Sequence, residues 1–289
     1  MSPRQVPQRG GGRPARPTPG ARPRTAQADS GEGRRPRGGQ RGWAPEWGQP
    51  RKDDDGRPRR PRGATVPKPP LPTARPRVDR SVHQDLRGAA PPGLLDDVIK
   101  AYAAAGEALT RGQDRKALEY LEWAKSVAGR SAVVREALGV VRYRMGDFAV
   151  AAAELTAYRR MTGRQDQNHL LADCARATGR THKVEEYVRA MQDNPQVPRD
   201  RVIEGIIVLA GDVADRAGPQ EALDVLREVG LEPERVEAWH PRLWYAAADF
   251  AHRAGDSQAA RDYLAAVVSV DEDFLDAAQR LATLDGPDA

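Results

Sequence analysis

Residues 138–155 read LGVVRYRMGDFAVAAAEL. Apolar side chains recur at intervals of three and four residues on both sides of Gly146 and Asp147, which predicts two helices joined by a short turn. A glycine followed five positions later by a small or β-branched residue recurs along the chain, at Gly112 with Ala117, Gly146 with Ala151, Gly179 with Val184 and Gly255 with Ala260. The chain is therefore expected to repeat one helical hairpin.

The length of the repeat predicts how the hairpins assemble. Successive turn glycines lie 34, 33, 39 and 37 residues apart when Gly218, with Ala222, is counted as a variant one residue short. Periods near 34 residues are typical of stacked helix pairs. Each pair needs a neighbour on either side to bury its apolar face, so the expected product is an extended solenoid with a concave surface.

Five pairs of helices and a last helix are predicted from apolar periodicity and capping residues. The expected ranges are 94–111 with 114–128, 131–145 with 147–161, 166–178 with 181–192, a helix through 203–217 with one from 219, a helix from 241 with one after 256, and a terminal helix at 272–284. Val82 and Leu86, four residues apart, predict a short helix before the first pair.

Two of the repeats resemble tetratricopeptide repeats in the residues that shape a hairpin. The matching residues are Leu138, Gly139, Gly146, Asp147, Ala151 and Leu155 in one repeat and Trp244, Ala247, Ala248, Gly255, Asp256, Ala260 and Leu264 in another. Small residues let the two helices cross closely, and bulky ones fill the space between hairpins. The resemblance covers residues 94–270; Ala105 or Ala172 replaces the first glycine in repeats 1 and 3, and repeat 4 departs most.

The resemblance implies the fold class, which is all-α. It implies a right-handed α-solenoid of about five tetratricopeptide-like hairpins plus a C-terminal capping helix. A long Arg-rich tail before degenerate repeats also resembles uncharacterised bacterial members of this superfamily. The family implies little about function, because such repeats serve many unrelated scaffolds.

The N-terminal third differs in composition from the rest of the chain. Residues 1–92 hold 18 of the 24 prolines, and residues 1–93 hold 14 of the 27 glycines. Such a segment has too few large apolar residues to offset the entropy lost on ordering. We therefore predict a disordered Arg/Pro/Gly-rich tail at residues 1–77 and a repeat domain at residues 78–289.

Charge divides the chain at nearly the same place. Residues 1–90 contain 21 Lys and Arg against 8 Asp and Glu, a net charge of +13, whereas the remaining residues carry a net charge of −8. A basic flexible segment favours an anionic partner, which is nucleic acid, a membrane surface or the acidic repeats themselves. GC-rich codon usage is the alternative explanation, because Arg outnumbers Lys by 40 to 6.

Trp43 and Trp47 lie in the tail, where no core requires them. They are interpreted as a short linear motif that docks on a folded partner, or as groups that stack on bases. The alternative is that they fold back onto the repeats.

No catalytic, metal-binding or cofactor-binding residue is predicted. The sequence has no Gly-rich phosphate loop, no Gly-x-Ser-x-Gly and no His-Glu-x-x-His. Cys174 is the only cysteine, so an internal disulfide and a cysteine-based zinc site are excluded, and core packing is the interpretation. Asp212, Asp215 and Arg216 have the spacing of salt-linked helix faces. We expect no enzyme activity and no small-molecule substrate.

Membrane insertion is not expected. The longest apolar run, residues 206–211, is far too short to span a bilayer, and residues 1–12 lack the apolar core of a signal peptide. The expected location is the cytoplasm, with no membrane partner.

The resemblance also implies which residues bind a partner, because the first helix of each hairpin lines the concave face. The implied positions are Tyr102, Tyr143, Arg144, Asp166, His169, Asp173, Arg176, Asp212, Asp215, Arg216, Arg242, Tyr245, Asp249, His252 and Arg253. Tyr and Arg are enriched among interface anchors. The alternative is that each of these residues belongs to a solvated helix face.

Two functions remain open at this point. The first is a protein-binding scaffold that takes a peptide or helix in its groove while the tail tethers or recruits. The second is a protein that contacts nucleic acid weakly through residues 1–77. The first is favoured, because the acidic repeat domain would repel nucleic acid. The sequence indicates neither the identity of the partner nor the oligomeric state.

Overall fold

The computed structural model describes residues 66–74 and 76–284, which form helices and connecting loops without a strand. The helices are α1 (Arg80–Ala89), α2 (Leu95–Thr110), α3 (Asp114–Val127), α4 (Ala132–Arg144), α5 (Phe148–Thr162), α6 (Asn168–Ala177), α7 (His182–Gln192), α8 (Arg199–Arg216), α9 (Pro219–Arg227), α10 (His240–Arg253), α11 (Ser257–Val270) and α12 (Ala277–Leu284). The predicted all-α class is confirmed for this part of the chain.

Local sequence signals place most of the helix ends correctly. From α2 to α7, every predicted end lies within two residues of the observed one. The last helix differs, because it begins at Ala277 and not at residue 272. Leu275 has a φ of 50°, a left-handed conformation that a helix of L residues does not contain, so the chain turns before α12 begins.

The recurring glycines form the turns within the helix pairs. Gly112, Gly146, Gly179 and Gly255 have φ values of 69°, 79°, 71° and 86°. This left-handed region is open to glycine without the steric cost that a Cβ brings, so the spacing of these glycines sets where each first helix ends.

Two features lengthen the fourth repeat. Helix α8 has 18 residues, and residues 228–239 form a long connection between α9 and α10. The Trp244 indole N–H donates to the Leu231 carbonyl at 2.7 Å and holds this connection against α10. The wider spacing of Gly179, Gly218 and Gly255 follows from these insertions.

Helix contacts follow the order of the chain. Every helix contacts the next one, and further contacts join α4 to α6, α6 to α8 and α8 to α10. The first helices of these neighbouring pairs therefore pack side by side. Helix α1 contacts both α2 and α4.

Buried apolar side chains form three clusters along the described helices. One cluster joins α1 to α4, a second joins α6 to α12, and a small one between them joins α4, α5 and α6. Four polar side chains are also buried at or beside this small cluster, namely Glu154, Asn168, His169 and Asp173. The middle of the helical array thus relies more on polar contacts than its two ends do.

Contacts with the helices begin before the predicted boundary at residue 77. Residues 66–71 lie against the first helix pair, where Val66 and Leu71 pack on the apolar cluster of α1 to α4. The rest of the predicted tail, residues 1–65, lies outside the described residues.

Helix α1 caps helix α4 through Asp85. The Asp85 carboxylate accepts hydrogen bonds from the Ser131 hydroxyl, from Ala132 N at 3.1 Å and from Val133 N at 3.4 Å. Free N–H groups at a helix start favour an anionic acceptor. This contact attaches the N-terminal helix to the second pair.

Replacing Asp85 with alanine should lower the free energy of unfolding by about 1–2 kcal/mol, the usual range for the loss of a helix cap. Urea denaturation followed by circular dichroism measures this loss. Asp79→Ala is the matched control, because Asp79 precedes α1 and makes no side-chain cap bond. Equal losses in the two variants would show that the Asp85 contact with α4 contributes nothing.

Candidate functional site

Polar side chains on the first helices of successive pairs contact one another from α4 to α12. We call this set the polar row. Its members are Glu136, Tyr143, Gln167, His169, Asp173, Arg176, Arg201, Glu204, Asp215, Arg242, Tyr245, Asp249, Asp276 and Arg280. Each contact between neighbouring helices ties residues about 30–40 positions apart, close to one repeat.

Between α4 and α6, the polar row contains one buried contact and one half-buried contact. The Tyr143 hydroxyl donates to Asp173 at 2.5 Å, and Tyr143 is only 3% exposed. Burial raises the pKa of Tyr143 far above its ordinary value, and the negative charge of Asp173 raises it further. The phenol therefore stays a hydrogen-bond donor. Gln167, just before α6, donates to Glu136 on α4 at 2.7 Å.

Between α6 and α8, one arginine binds two carboxylates. Arg176 donates from Nε to Asp173 at 3.1 Å and from Nη1 to Asp215 on α8 at 3.0 Å. A planar guanidinium group can donate to two carboxylates at once, because its N–H donors point in different fixed directions. Arg176 thereby extends the Tyr143–Asp173 contact to a third helix.

His169 makes the second contact between α6 and α8. Arg201 Nη1 lies 3.3 Å from His169 Nε2. Arginine has only donors, so Nε2 accepts and the proton of the neutral ring sits on Nδ1. Burial, followed by the positive charge of Arg201, lowers the pKa of His169 to about 3. His169 is therefore a neutral acceptor at physiological pH.

The polar row continues to the last helix. Arg242 on α10 forms an ion pair with Glu204 on α8. The Tyr245 hydroxyl donates to Asp276 at 2.5 Å, and the Arg280 guanidinium lies over the Tyr245 ring at 5.1 Å. Arg280 also donates to Asp249 at 3.4 Å. These contacts attach α12 and the residues before it to α10.

The remaining implied binding residues lie beside the polar row or away from it. Arg216 pairs with Asp212 on its own helix at 2.9 Å, and Arg253 pairs with Asp249 at 3.5 Å. Arg144 turns instead to Asp114 at the start of α3, at 3.1 Å.

Tyr102 lies half-buried on α2. Burial raises its pKa, and so do the nearby carboxylates of Glu136, Asp85 and Asp79. The last two belong to α1 or its cap, so α1 lies on the side of α2 that carries Tyr102.

The implied binding residues range from buried to exposed, and two groups lie at the extremes. One group is buried and consists of Tyr143, His169, Asp173 and Asp212. Buried side chains cannot contact a partner directly and can affect its binding only by positioning neighbouring side chains. Arg216 and Arg253 are open to solvent, with side chains 53% and 37% exposed. The partner-binding role stays a prediction for both groups. Trp43 and Trp47 lie outside the described residues.

Six of the fourteen polar-row residues are not among the binding positions that the resemblance implies. They are Glu136, Gln167, Arg201, Glu204, Asp276 and Arg280. One signal was present, because Glu136 lies seven residues before Tyr143, two helical turns along the same face. The other residues could be assigned to the polar row only once their contacts with the neighbouring helix were known.

Cys174 lies in the small central cluster. Burial raises the pKa of its thiol to about 12, and the charge of Asp173 contributes. The thiolate is the reactive form of cysteine, so Cys174 is poorly suited to act as a nucleophile near neutral pH. This agrees with its interpretation as a packing residue.

Two further kinds of site are not found in the described part of the chain. Among residues 66–74 and 76–284, no group of three His, Cys, Asp or Glu side chains could hold a metal ion. In the same residues, no helix has the length and apolar character needed to cross a membrane.

No protein-family model matches the chain, and no curated protein shows significant similarity to it.

Proposed function

We propose that the protein is a non-enzymatic scaffold that binds a protein partner on the surface formed by the first helices of its pairs. In this proposal the helices form a right-handed α-solenoid of about five tetratricopeptide-like hairpins, with α12 as the C-terminal cap. The solenoid is supported by the contacts between successive first helices and by the recurring positive-φ glycines. A cytoplasmic location is part of the same proposal.

The polar row is the observation that carries this proposal. Its side chains are held in place by one another across four successive first helices, α4, α6, α8 and α10, and the C-terminal segment around α12, before any partner arrives. Side chains that are already ordered lose little entropy on binding, so a fixed surface binds more tightly than a mobile one. A peptide or helix laid along this surface would meet the exposed Arg216 and Arg253 at positions beside the row.

Reversing the charge of both exposed arginines should abolish most of the partner binding. We expect the full chain with Arg216→Glu and Arg253→Glu to recover about tenfold less of its partner in affinity capture, as for the loss of interface anchors. The readout is the amount of each captured protein, measured by quantitative mass spectrometry after nuclease treatment.

The matched control is Arg189→Glu with Arg227→Glu. These arginines lie on the second helices α7 and α9, and each pairs with an acidic residue three or four positions earlier, as Arg216 and Arg253 do. The two double variants therefore have the same net charge. Asp212 and Asp249 are more buried than Glu185 and Asp224, so circular dichroism checks that both variants remain folded. Equal loss of capture in both would refute binding on the first-helix surface.

The second candidate is contact with RNA or another nucleic acid through residues 1–77. The net charge of +13 over residues 1–90 and the two tryptophans favour it. Capture that nuclease abolishes, and that both double variants retain, would support this candidate in place of the scaffold.

A further inference from the structure

Residues 66–72, Val-Pro-Lys-Pro-Pro-Leu-Pro, have little conformational freedom. Proline fixes its own φ near −65°, and the residue before a proline is restricted to extended or polyproline II conformations. Each residue from 66 to 72 is either a proline or the residue before one. The segment is therefore biased toward a polyproline II helix before it touches anything.

Three polar or aromatic contacts hold this segment on the first helix pair. The Lys68 ammonium pairs with Asp97 at 2.7 Å and lies 5.6 Å from the centre of the Trp123 ring. The Tyr120 hydroxyl donates to the Pro70 carbonyl at 3.2 Å. Lys68 and Leu71 are three residues apart, which is one turn of a polyproline II helix, so they share one edge.

We propose that Asp97, Tyr120 and Trp123 form a binding site for proline-rich segments of the Lys-Pro-Pro-Leu type, which residues 66–72 occupy in cis. The contacts match how polyproline II ligands are usually recognised. An aromatic surface receives the segment, a hydroxyl binds a carbonyl of its open backbone, and a carboxylate selects a basic residue. This site is separate from the polar row and does not depend on the proposed scaffold function.

The site covers part of the surface of α2 and α3 with the segment that precedes α1. Release of residues 66–72 would expose Tyr120 and Trp123 on this surface. A proline-rich basic peptide added from outside competes with the resident segment for the same contacts.

The test uses the full chain and a labelled peptide of residues 64–74, ATVPKPPLPTA, with fluorescence anisotropy as the readout. One protein is the unaltered chain. The other carries Lys68→Glu and Leu71→Asp, which weaken the resident segment and leave its receptor intact. Lys68 is exposed and Leu71 is only half-buried, so the fold should survive, and circular dichroism checks this.

The peptide should bind the double variant much more tightly than the unaltered chain. The resident segment is linked to its receptor by few residues, so it competes with the peptide at an effective concentration in the millimolar range. A peptide with a Kd of about 0.1 mM for the double variant should therefore have an apparent Kd about tenfold higher for the unaltered chain. Tyr120→Phe, added to the double variant, removes one hydroxyl and should weaken peptide binding by about threefold to tenfold. The peptide with Lys68→Glu and Leu71→Asp is the matched control ligand and should bind neither protein.

Three results would overturn the proposal. The first is equal binding of the peptide to the unaltered chain and the double variant. The second is no binding to the double variant at millimolar peptide, the range at which the linked segment acts. The third is binding that Tyr120→Phe leaves unchanged, because the peptide would then sit elsewhere.

Discussion

Gly139→Trp should lower the free energy of unfolding by about 3 kcal/mol or more, at the upper end for overpacked cores. A Cβ at position 139 would lie 2.5 Å from both Cγ and Cδ2 of Leu155, and 3.3 Å from the Leu155 backbone nitrogen. The helices α4 and α5 would have to separate to admit an indole ring. Urea denaturation followed by circular dichroism measures the loss.

Gly106→Trp is the control for Gly139→Trp. Gly106 also lies in the interior of a first helix, α2, but a Cβ there would meet no atom within 4 Å. Its substitution should change the free energy of unfolding by less than about 1 kcal/mol, since tryptophan is a somewhat better helix former than glycine. If the two variants had equal stabilities, the close crossing of α4 and α5 at Gly139 would be refuted.

The second large effect concerns the stability of the protein in mild acid. The pKa of His169 is lowered from 6.5, the value for an unperturbed histidine, to about 3 in the folded protein. Between pH 6.5 and pH 3, His169 is therefore protonated in the unfolded chain but neutral in the folded protein. The contribution of His169 to the free energy of unfolding is therefore fully present above pH 6.5 and is lost progressively as the pH falls toward 3. Between pH 7 and pH 5 the expected loss is about 2 kcal/mol.

His169→Asn should remove this pH dependence. The measurement is the free energy of unfolding in urea at pH 7, 6 and 5 for the unaltered chain and the variant. The difference between the two proteins should shrink by about 2 kcal/mol from pH 7 to pH 5, whatever the variant loses at neutral pH. His252→Asn, which removes an exposed histidine of α10, serves as the control. If the free energy of unfolding changed with pH in the same way for the unaltered chain and His169→Asn, the pKa of His169 would not be lowered in the folded protein.

Features set by neighbouring residues could be predicted from the sequence. The turns at Gly112, Gly146, Gly179 and Gly255, the helix ends from α2 to α7 and the close crossing at Gly139 all depend on local spacing and side-chain size. The start of α12 could not be predicted, because leucine rarely adopts the positive φ that Leu275 has and nothing in the sequence indicates it.

Partners in the polar row depend on how one helix is positioned against the next. The sequence places Tyr143, Asp173 and Arg176 on first helices, but it does not reveal that Tyr143 faces Asp173 or that Arg176 reaches Asp215. A shift of one helical turn would pair different residues. The sequence thus places these residues on the first helices but does not give their contacts with one another.

Residues 66–72 contact the helices although their composition does not predict it. Their composition predicts disorder because they contain few large apolar residues, yet they lie against α2 and α3. Proline reduces the conformational freedom of the unfolded chain, so little entropy is lost when such a segment docks. A few contacts then suffice where a flexible segment would need many.

The polar contacts of the polar row have a consequence for the orientation of neighbouring helices. Apolar contacts have no preferred direction, so helices joined only by them can slide and rotate over a range of positions. Hydrogen bonds from Tyr143 to Asp173 and from Arg176 to Asp215 have strict angular requirements. The hydrogen bond between Tyr143 and Asp173 therefore limits how far α4 and α6 can rotate against each other, and the one between Arg176 and Asp215 does the same for α6 and α8. Each helix of the row is thus oriented by its neighbour, not only held close to it.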